Sequence, residues 1–120
     1  MRRLGGAIGF ENASLYIGTK HAAIGITKTA SIEWFRRGVR VNALCPGLIE
    51  TPFRHRGVWP SVEAQHTFAA STPARQHAST PAGRFNSAEE MATVVAFLAS
   101  DGSSYVSGQA PLADAGCSVA

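Results

Sequence analysis

Long apolar runs are absent from this 120-residue sequence, and none approaches the length that a helix needs to cross a bilayer. The start of the chain is basic and then glycine-rich. Its apolar portion is too short and too interrupted to resemble a secretory signal peptide. We therefore expect a cytoplasmic protein with no membrane partner, and the length suits one small domain.

Cysteine is scarce, and the potential metal ligands are dispersed. Cys45 and Cys117 are too few for a disulfide framework, so we expect buried, unreactive thiols. His55, His66 and His77 follow one another at an even spacing of eleven residues, which fits no compact ligand pattern. No cluster of cysteines or carboxylates accompanies these histidines, and the sequence therefore predicts no metal site.

A basic stripe is also missing, although the net charge of +3 and the isoelectric point near 9.3 are compatible with a nucleic-acid partner. The arginines are scattered and no aromatic residues are interleaved with them, as a nucleic-acid surface would require. We therefore expect no nucleic-acid partner. A basic nucleic-acid module stays as an alternative that salt-dependent binding to DNA or RNA would reveal.

Tyr16 and Lys20 are the first residues that indicate a chemical role. They are four residues apart in a segment that reads as the opening of a helix, so they lie on the same helical face. A lysine ammonium beside a phenol stabilises the phenolate, and such a phenol can take or give a proton near neutral pH. The alternative is that the pair only packs, because the same spacing is common on helices.

The chain around this pair alternates between helical and extended patterns. The first helix is predicted from Asn12 or Ser14 to Phe35, and a strand from Val39 to Leu44 that Pro46 ends. Ser87 and Glu90 form a capping box for a helix to about Ser100, and a last strand follows over 110–113. A buried stripe on the first helix is predicted at Ala22, Ala23, Ile26, Ala30 and Trp34.

With these elements in view, the chain resembles the short-chain dehydrogenase/reductase family. The matching pieces occur in the family's order and cover nearly the whole chain. They are Tyr16-x-x-x-Lys20, Val39-Arg40-Val41-Asn42 running into Pro46-Gly47-Leu48-Ile49-x-Thr51, Gly83-Arg84-Phe85, Phe97-Leu98-Ala99-Ser100-Asp101, and Tyr105-Val106-Ser107-Gly108-Gln109.

The resemblance implies an α/β fold of the Rossmann type, doubly wound, of which this chain supplies the C-terminal half. We expect two recognisable parallel strands with flanking helices, and residues 1–120 as one part of a single domain. The family's glycine-rich turn for the cofactor pyrophosphate has no counterpart in the sequence. The position of its catalytic serine, thirteen residues before the tyrosine, is occupied by Arg3.

The resemblance also implies a function, the oxidation of an alcohol or reduction of a carbonyl with NAD or NADP. Tyr16 would be the acid/base, and Lys20 would assist it and hold the nicotinamide ribose. Pro46, Gly47, Ile49 and Thr51 would lie against the nicotinamide, with the Ile49 backbone bonding the carboxamide. Gly47 itself permits close approach either of a flat ligand or of another chain segment. The loop over 53–82 would select a small-molecule substrate, and assembly into a homo-oligomer is compatible with the family.

The rival hypothesis is a catalytically inactive fragment that acts at most as an assembly partner. The absent phosphate turn and the absent serine favour it. Parallel strands need cover on both faces and partners at their edges. On this hypothesis, and on the first, we expect the isolated chain to be poorly stable or prone to aggregation.

Overall fold

A computed structural model describes residues 14–51 and 80–119 of the chain. Two α-helices, two short strands and two 3-10 turns follow one another in these ranges. They are α1 (Ser14–Trp34), a 3-10 turn (Phe35–Arg37), β1 (Cys45–Pro46), α2 (Ala88–Ala99), a second 3-10 turn (Asp101–Ser103) and β2 (Leu112–Ala113). No helix in the described part of the chain is long and apolar enough to cross a membrane.

The end of α1 follows the stop signal that its sequence predicts. The helix gives way at Trp34 to the 3-10 turn, and Gly38 closes it in the left-handed conformation with φ of 78°. The Gly38 N–H donates to the Phe35 carbonyl. The Arg37 guanidinium stacks 4.8 Å from the centroid of the Trp34 ring. Glycine is favoured here because it adopts positive φ without steric cost.

The strands β1 and β2 are parallel neighbours, as predicted, and Cys45 stands opposite Leu112. The expected strand over 39–44 is wrong in its bounds, because the regular ladder begins only at Cys45. Side chains replace backbone groups earlier in the pairing. The Val41 N–H donates to Ser107 Oγ, and the Gln109 N–H donates to Asn42 Oδ1. These bonds between side chain and backbone interrupt the ladder, but they keep the segments 41–42 and 107–109 side by side.

Pro46 is the last residue of β1, so the strand ends at the proline as the sequence predicts. The N–H groups of Cys45 and Gly47 both point to the β2 side, where they donate to the carbonyls of Pro111 and Ala113. Because successive residues of a strand direct their N–H groups to opposite sides, the nitrogen of Pro46 faces away from β2. The missing N–H therefore costs the pair no hydrogen bond.

The start of α2 is fixed by the capping box that its sequence predicts. Ser87 Oγ accepts from the Glu90 N–H, and the Glu90 carboxylate accepts from the Ser87 N–H. The same carboxylate pairs with both terminal nitrogens of Arg84, at 2.6 and 2.9 Å. The turn before α2 is thereby tied to its first turn.

The other end of α2 is held by Arg40. Its guanidinium donates to the carbonyls of Leu98 and Ser100, at 2.6 and 3.1 Å, and to Ser103 Oγ at 2.8 Å. Ser103 is 1% exposed. The last carbonyls of a helix have no partner within the helix, and Arg40 shares with Ser103 the role of binding them here.

The helix α1 meets the strand segment through hydroxyl groups rather than through an apolar stripe. Thr27 and Ser31 are its buried residues, and Ser31 Oγ lies 2.7 Å from Ser107 Oγ. Gly108 has φ of 72°, and a Cβ there would stand 3.0 Å from Ser31 Oγ. The stripe predicted for this helix is wrong, since Ala22 and Ala23 are exposed and Ile26 is 69% exposed.

The error in the stripe has a geometric cause. Successive residues of an α-helix are turned by about 100°, so the face that carries Thr27 and Ser31 is not the face of Ile26. In the described part of the chain, the buried apolar side chains are those of Phe85 and Cys117. Cys117 is thus buried as predicted, whereas Cys45 is only half-buried.

Candidate functional site

Tyr16 and Lys20 occupy the first turns of α1. The Lys20 Nζ stands 5.4 Å from the centroid of the Tyr16 ring, so the four-residue spacing does bring the ammonium over the phenol. Thr19 Oγ1 donates to the Tyr16 carbonyl and braces this turn. Tyr16 is 40% exposed, which leaves its ring accessible from solution.

Lys20 also lies near the start of the segment that follows α1. Burial raises the pKa of the Cys45 thiol, and the positive charge of Lys20 acts in the opposite direction. A charge has this effect only at short range. Lys20 thus acts electrostatically on Cys45, the residue that directly precedes the segment 46–51.

Gly47 lies close to another described part of the chain. A Cβ at Gly47 would stand 2.9 Å from the Asp114 Cα and 3.5 Å from the Asn86 Nδ2. Real Cβ atoms do not come this near to backbone, so only glycine fits without a shift. Of the two alternatives that the sequence leaves open, approach to another chain segment is the one present.

The backbone around Ile49 pairs with Asn86 on one side only of the segment. Ile49 forms an isolated parallel bridge with Asn86, in which the Asn86 N–H donates to the Leu48 carbonyl and the Glu50 N–H donates to the Asn86 carbonyl. In a parallel bridge of this kind the central residue directs its own N–H and C=O away from the partner. The N–H of Ile49 therefore points to the side opposite Asn86.

Comparison with known proteins identifies the family. The model of a family described as enoyl-(acyl carrier protein) reductase matches residues 1–118. A rat protein, dehydrogenase/reductase SDR family member 6, is 35% identical over 111 residues, which are 92% of this chain and 43% of that protein. Levodione reductase of Leifsonia aquatica is 36% identical over 117 residues, or 98% of this chain and 43% of that protein.

The chain belongs to the short-chain dehydrogenase/reductase family. A crystal structure of levodione reductase superposes with a TM-score of 0.80 at 35% identity, covering 99% of this chain and 45% of that one. A structure titled "ElxO with NADP Bound" gives a TM-score of 0.76 at 26% identity, covering 97% and 44%. The chain thus spans less than half the length of these relatives. The expected α/β fold of the Rossmann type is confirmed.

The structure brings together some of the residues that the family resemblance selects. Tyr16 and Lys20 share one face, and Pro46, Gly47 and Ile49 lie on one continuous segment whose preceding residue, Cys45, experiences the charge of Lys20. Thr51 is the last described residue of that segment. Two parts of the prediction lie outside the described residues. They are Arg3 and the loop residues 52–79, which include His55, His66 and His77. Within 14–51 and 80–119, no three potential metal ligands are grouped.

One residue of this site went unrecognised in the sequence. Asn86 contacts the segment 48–50 through its backbone, and its Nδ2 donates to the Ala113 carbonyl at 2.9 Å. The sequence carries a signal for it, since Asn86 stands directly before the capping Ser87 and just after Gly83-Arg84-Phe85. Asparagine is a residue whose side chain readily bonds to nearby backbone, and such bonding is hard to assign without the partner in view.

Proposed function

We propose that this chain carries the nicotinamide-binding and proton-transfer part of an NAD(P)-dependent oxidoreductase. The reaction is the oxidation of a small-molecule alcohol or the reduction of the matching carbonyl. The observation that supports it most directly is the Lys20 ammonium, which stands 5.4 Å from the centroid of the Tyr16 ring. We further propose that residues 1–120 are the C-terminal part of one Rossmann-type domain.

In this proposal the Tyr16 hydroxyl is the acid/base group. During oxidation the phenolate oxygen takes the proton of the substrate hydroxyl, and during reduction the phenol returns it to the forming alcohol. Lys20 places its positive charge beside the phenol, and its N–H groups are donors for ribose hydroxyls. The nicotinamide cofactor supplies the hydride chemistry when it is bound.

The segment 46–51 is proposed to hold the nicotinamide end of that cofactor. The outward N–H of Ile49 is a donor that fits a carboxamide oxygen, and Thr51 offers a hydroxyl two residues later. Pro46 and Gly47 form the flat start of the segment. The donor set thus fits the nicotinamide nucleoside, whereas no glycine-rich turn after a strand is present in this sequence for the pyrophosphate.

Titration of the full chain with NADH and NADPH, followed by nicotinamide fluorescence, tests the proposal. Saturable binding is expected, and substrate oxidation should then be lost in Tyr16→Phe with the fold retained. Tyr105→Phe is the matched control, because Tyr105 is the other tyrosine and is 92% exposed. Turnover in Tyr16→Phe equal to that of Tyr105→Phe would refute the acid/base role.

A non-catalytic assembly role is the second candidate. Arg3 occupies the position of the family's catalytic serine, which would stabilise charge on the substrate oxygen. A chain that is folded by circular dichroism and binds neither nucleotide would favour this candidate. Co-purification with an intact relative would then be the next measurement.

A further inference from the structure

The geometry points to Asn86 as a positioning residue for the nicotinamide-binding segment 46–51. The inference rests on the proposed function and adds a residue to it. Asn86 lies where three parts of the fold meet, namely the segment after β1, the end of β2 and the start of α2. Its backbone bonds directly to Leu48 and Glu50, so its effect on the reaction would pass through the segment.

The backbone of Asn86 fixes the direction of Ile49. The Asn86 N–H donates to the Leu48 carbonyl and its own carbonyl accepts from the Glu50 N–H, both at 2.9 Å. These two bonds flank Ile49 on either side and leave its N–H directed away from Asn86. The outward N–H that the proposed function assigns to the carboxamide thus depends on where the backbone of Asn86 stands.

The side chain of Asn86 holds that backbone in place. Its Nδ2 and the Gly47 N–H both donate to the Ala113 carbonyl, at 2.9 and 3.0 Å. The amide also covers the Cα of Gly47, where an added Cβ would stand 3.5 Å from Nδ2. One carbonyl at the end of β2 therefore joins the amide of Asn86 to the first N–H of the segment.

The other side of Asn86 is anchored to α2. The next residue is the capping Ser87, and the Glu90 carboxylate binds both the Ser87 N–H and the Arg84 guanidinium. Asn86 is therefore held between a fixed helix start and a fixed strand end. A residue in this position can transmit the placement of both elements to Ile49.

Two substitutions separate the donor role of the amide from its shape. Asn86→Asp is isosteric, but it replaces the donor with a carboxylate that faces the Ala113 carbonyl. Asn86→Ala removes the donor and introduces no repulsion. We expect NADH to bind about tenfold more weakly to Asn86→Asp and about threefold more weakly to Asn86→Ala than to the unaltered chain.

Ser103→Ala is the control for general loss of stability. Ser103 is buried at the opposite end of α2, where its Oγ bonds the Leu98 and Ser100 carbonyls. This variant should destabilise the helix while leaving the affinity for NADH within about twofold. An Asn86→Asp variant that binds NADH as tightly as Ser103→Ala would overturn the inference.

Amide hydrogen exchange distinguishes failure of this inference from failure of the proposed function. The Gly47 and Glu50 amides should exchange faster in Asn86→Asp than in Ser103→Ala. If the unaltered chain binds no nicotinamide nucleotide, the proposed function fails and Asn86 has no cofactor to position. If the chain binds NADH but these amides exchange alike in both variants, the proposed function stands and the role of Asn86 is overturned.

Discussion

The helix α1 and the region from Arg84 to Ser118 are held in place in different ways. In α1 the described contacts with the strand segment are few and involve hydroxyl groups, as at Ser31. From Arg84 onward, side chains bond to backbone at almost every turn, as in the capping box and the Asp114 turn. The first region depends on distant partners, whereas the second is specified largely by its own neighbours in sequence.

Asp114 illustrates the second kind of region. Its carboxylate is 6% exposed and accepts from the Gly116 and Ser118 N–H groups, at 3.1 and 2.7 Å. Gly116 has a φ of 80°, which glycine adopts readily. A buried carboxylate that accepts backbone N–H groups stabilises a turn without any distant partner.

The largest effect on stability is expected at Gly47, where the segment after β1 packs against the Asp114 turn. Gly47→Ala places a Cβ against the Asp114 Cα, so we expect a loss of about 2–3 kcal/mol in the free energy of unfolding. Gly25→Ala in α1 is the matched control, because a Cβ there meets nothing within 4 Å. That variant should gain up to about 1 kcal/mol from helix propensity. Chemical denaturation of both variants measures the contrast.

Arg40 joins the segment before β1 to the end of α2, over separations of 58 to 63 residues in sequence. Arg40→Ala removes its bonds to the end of α2 and leaves the buried Ser103 with one partner fewer. We expect a loss of about 2 kcal/mol in the free energy of unfolding, again by chemical denaturation. A loss as small as that of an exposed substitution such as Thr93→Ala would show that α2 is held without Arg40.

The capping box tests whether the second region is locally specified. Ser87→Ala removes the acceptor for the Glu90 N–H, and we expect a loss of about 1 kcal/mol. Ser87→Asp should restore most of that loss, because aspartate is also a good N-cap residue. Thermal unfolding followed by circular dichroism at 222 nm, the helix band, gives both values. Equal melting temperatures for Ser87→Ala and Ser87→Asp would contradict the local account.

The smallest effect concerns the dependence of stability on pH. Hydrogen bonds from Arg84 and from the Ser87 backbone lower the pKa of Glu90 to about 2. A carboxyl whose pKa is lower in the folded chain stabilises it above the unfolded value, which is 4.5 here. This contribution is lost as the pH falls from about 4.5 through about 2.

Comparison with Glu90→Gln isolates that contribution. Glutamine keeps an acceptor for the Ser87 N–H but has no charge, so the pH-dependent part of the stability difference between the two chains should vanish near pH 2. Because Glu90 is exposed, the difference should shrink further in high salt. A difference that stays constant from pH 6 to pH 2 would rule out the ion pair as its source.

The elements with local signals were predictable from the sequence. Both helix ranges, the stop at Gly38 and the capping box of Ser87 follow from residues within a few positions of one another. The spacing of Tyr16 and Lys20 likewise predicted their shared face. Each of these depends on one turn of helix, whose geometry is the same in every protein.

Features that depend on distant partners were not predictable in the same way. The ladder at Cys45 and Pro46 follows from the register with β2, which leaves the proline nitrogen on the unpaired side. The buried face of α1 follows from contact with Ser107. The role of Asn86 needs three segments in view at once. Hydrophobic periodicity alone favoured Ile26, which is exposed.

The hydroxyl contact between Ser31 and Ser107 has a consequence for the opposite end of α1. Thr27 and Ser31 follow Tyr16 and Lys20 by eleven residues each, which is close to three full helical turns. Thr27 and Ser31 therefore lie on the same side of the helix as Tyr16 and Lys20, about 16 Å further along its axis. The contact between Ser31 and Ser107 therefore fixes the rotation of α1 about its own axis. Because the helix is rigid, the same contact also fixes the direction in which Tyr16 and Lys20 project at the opposite end.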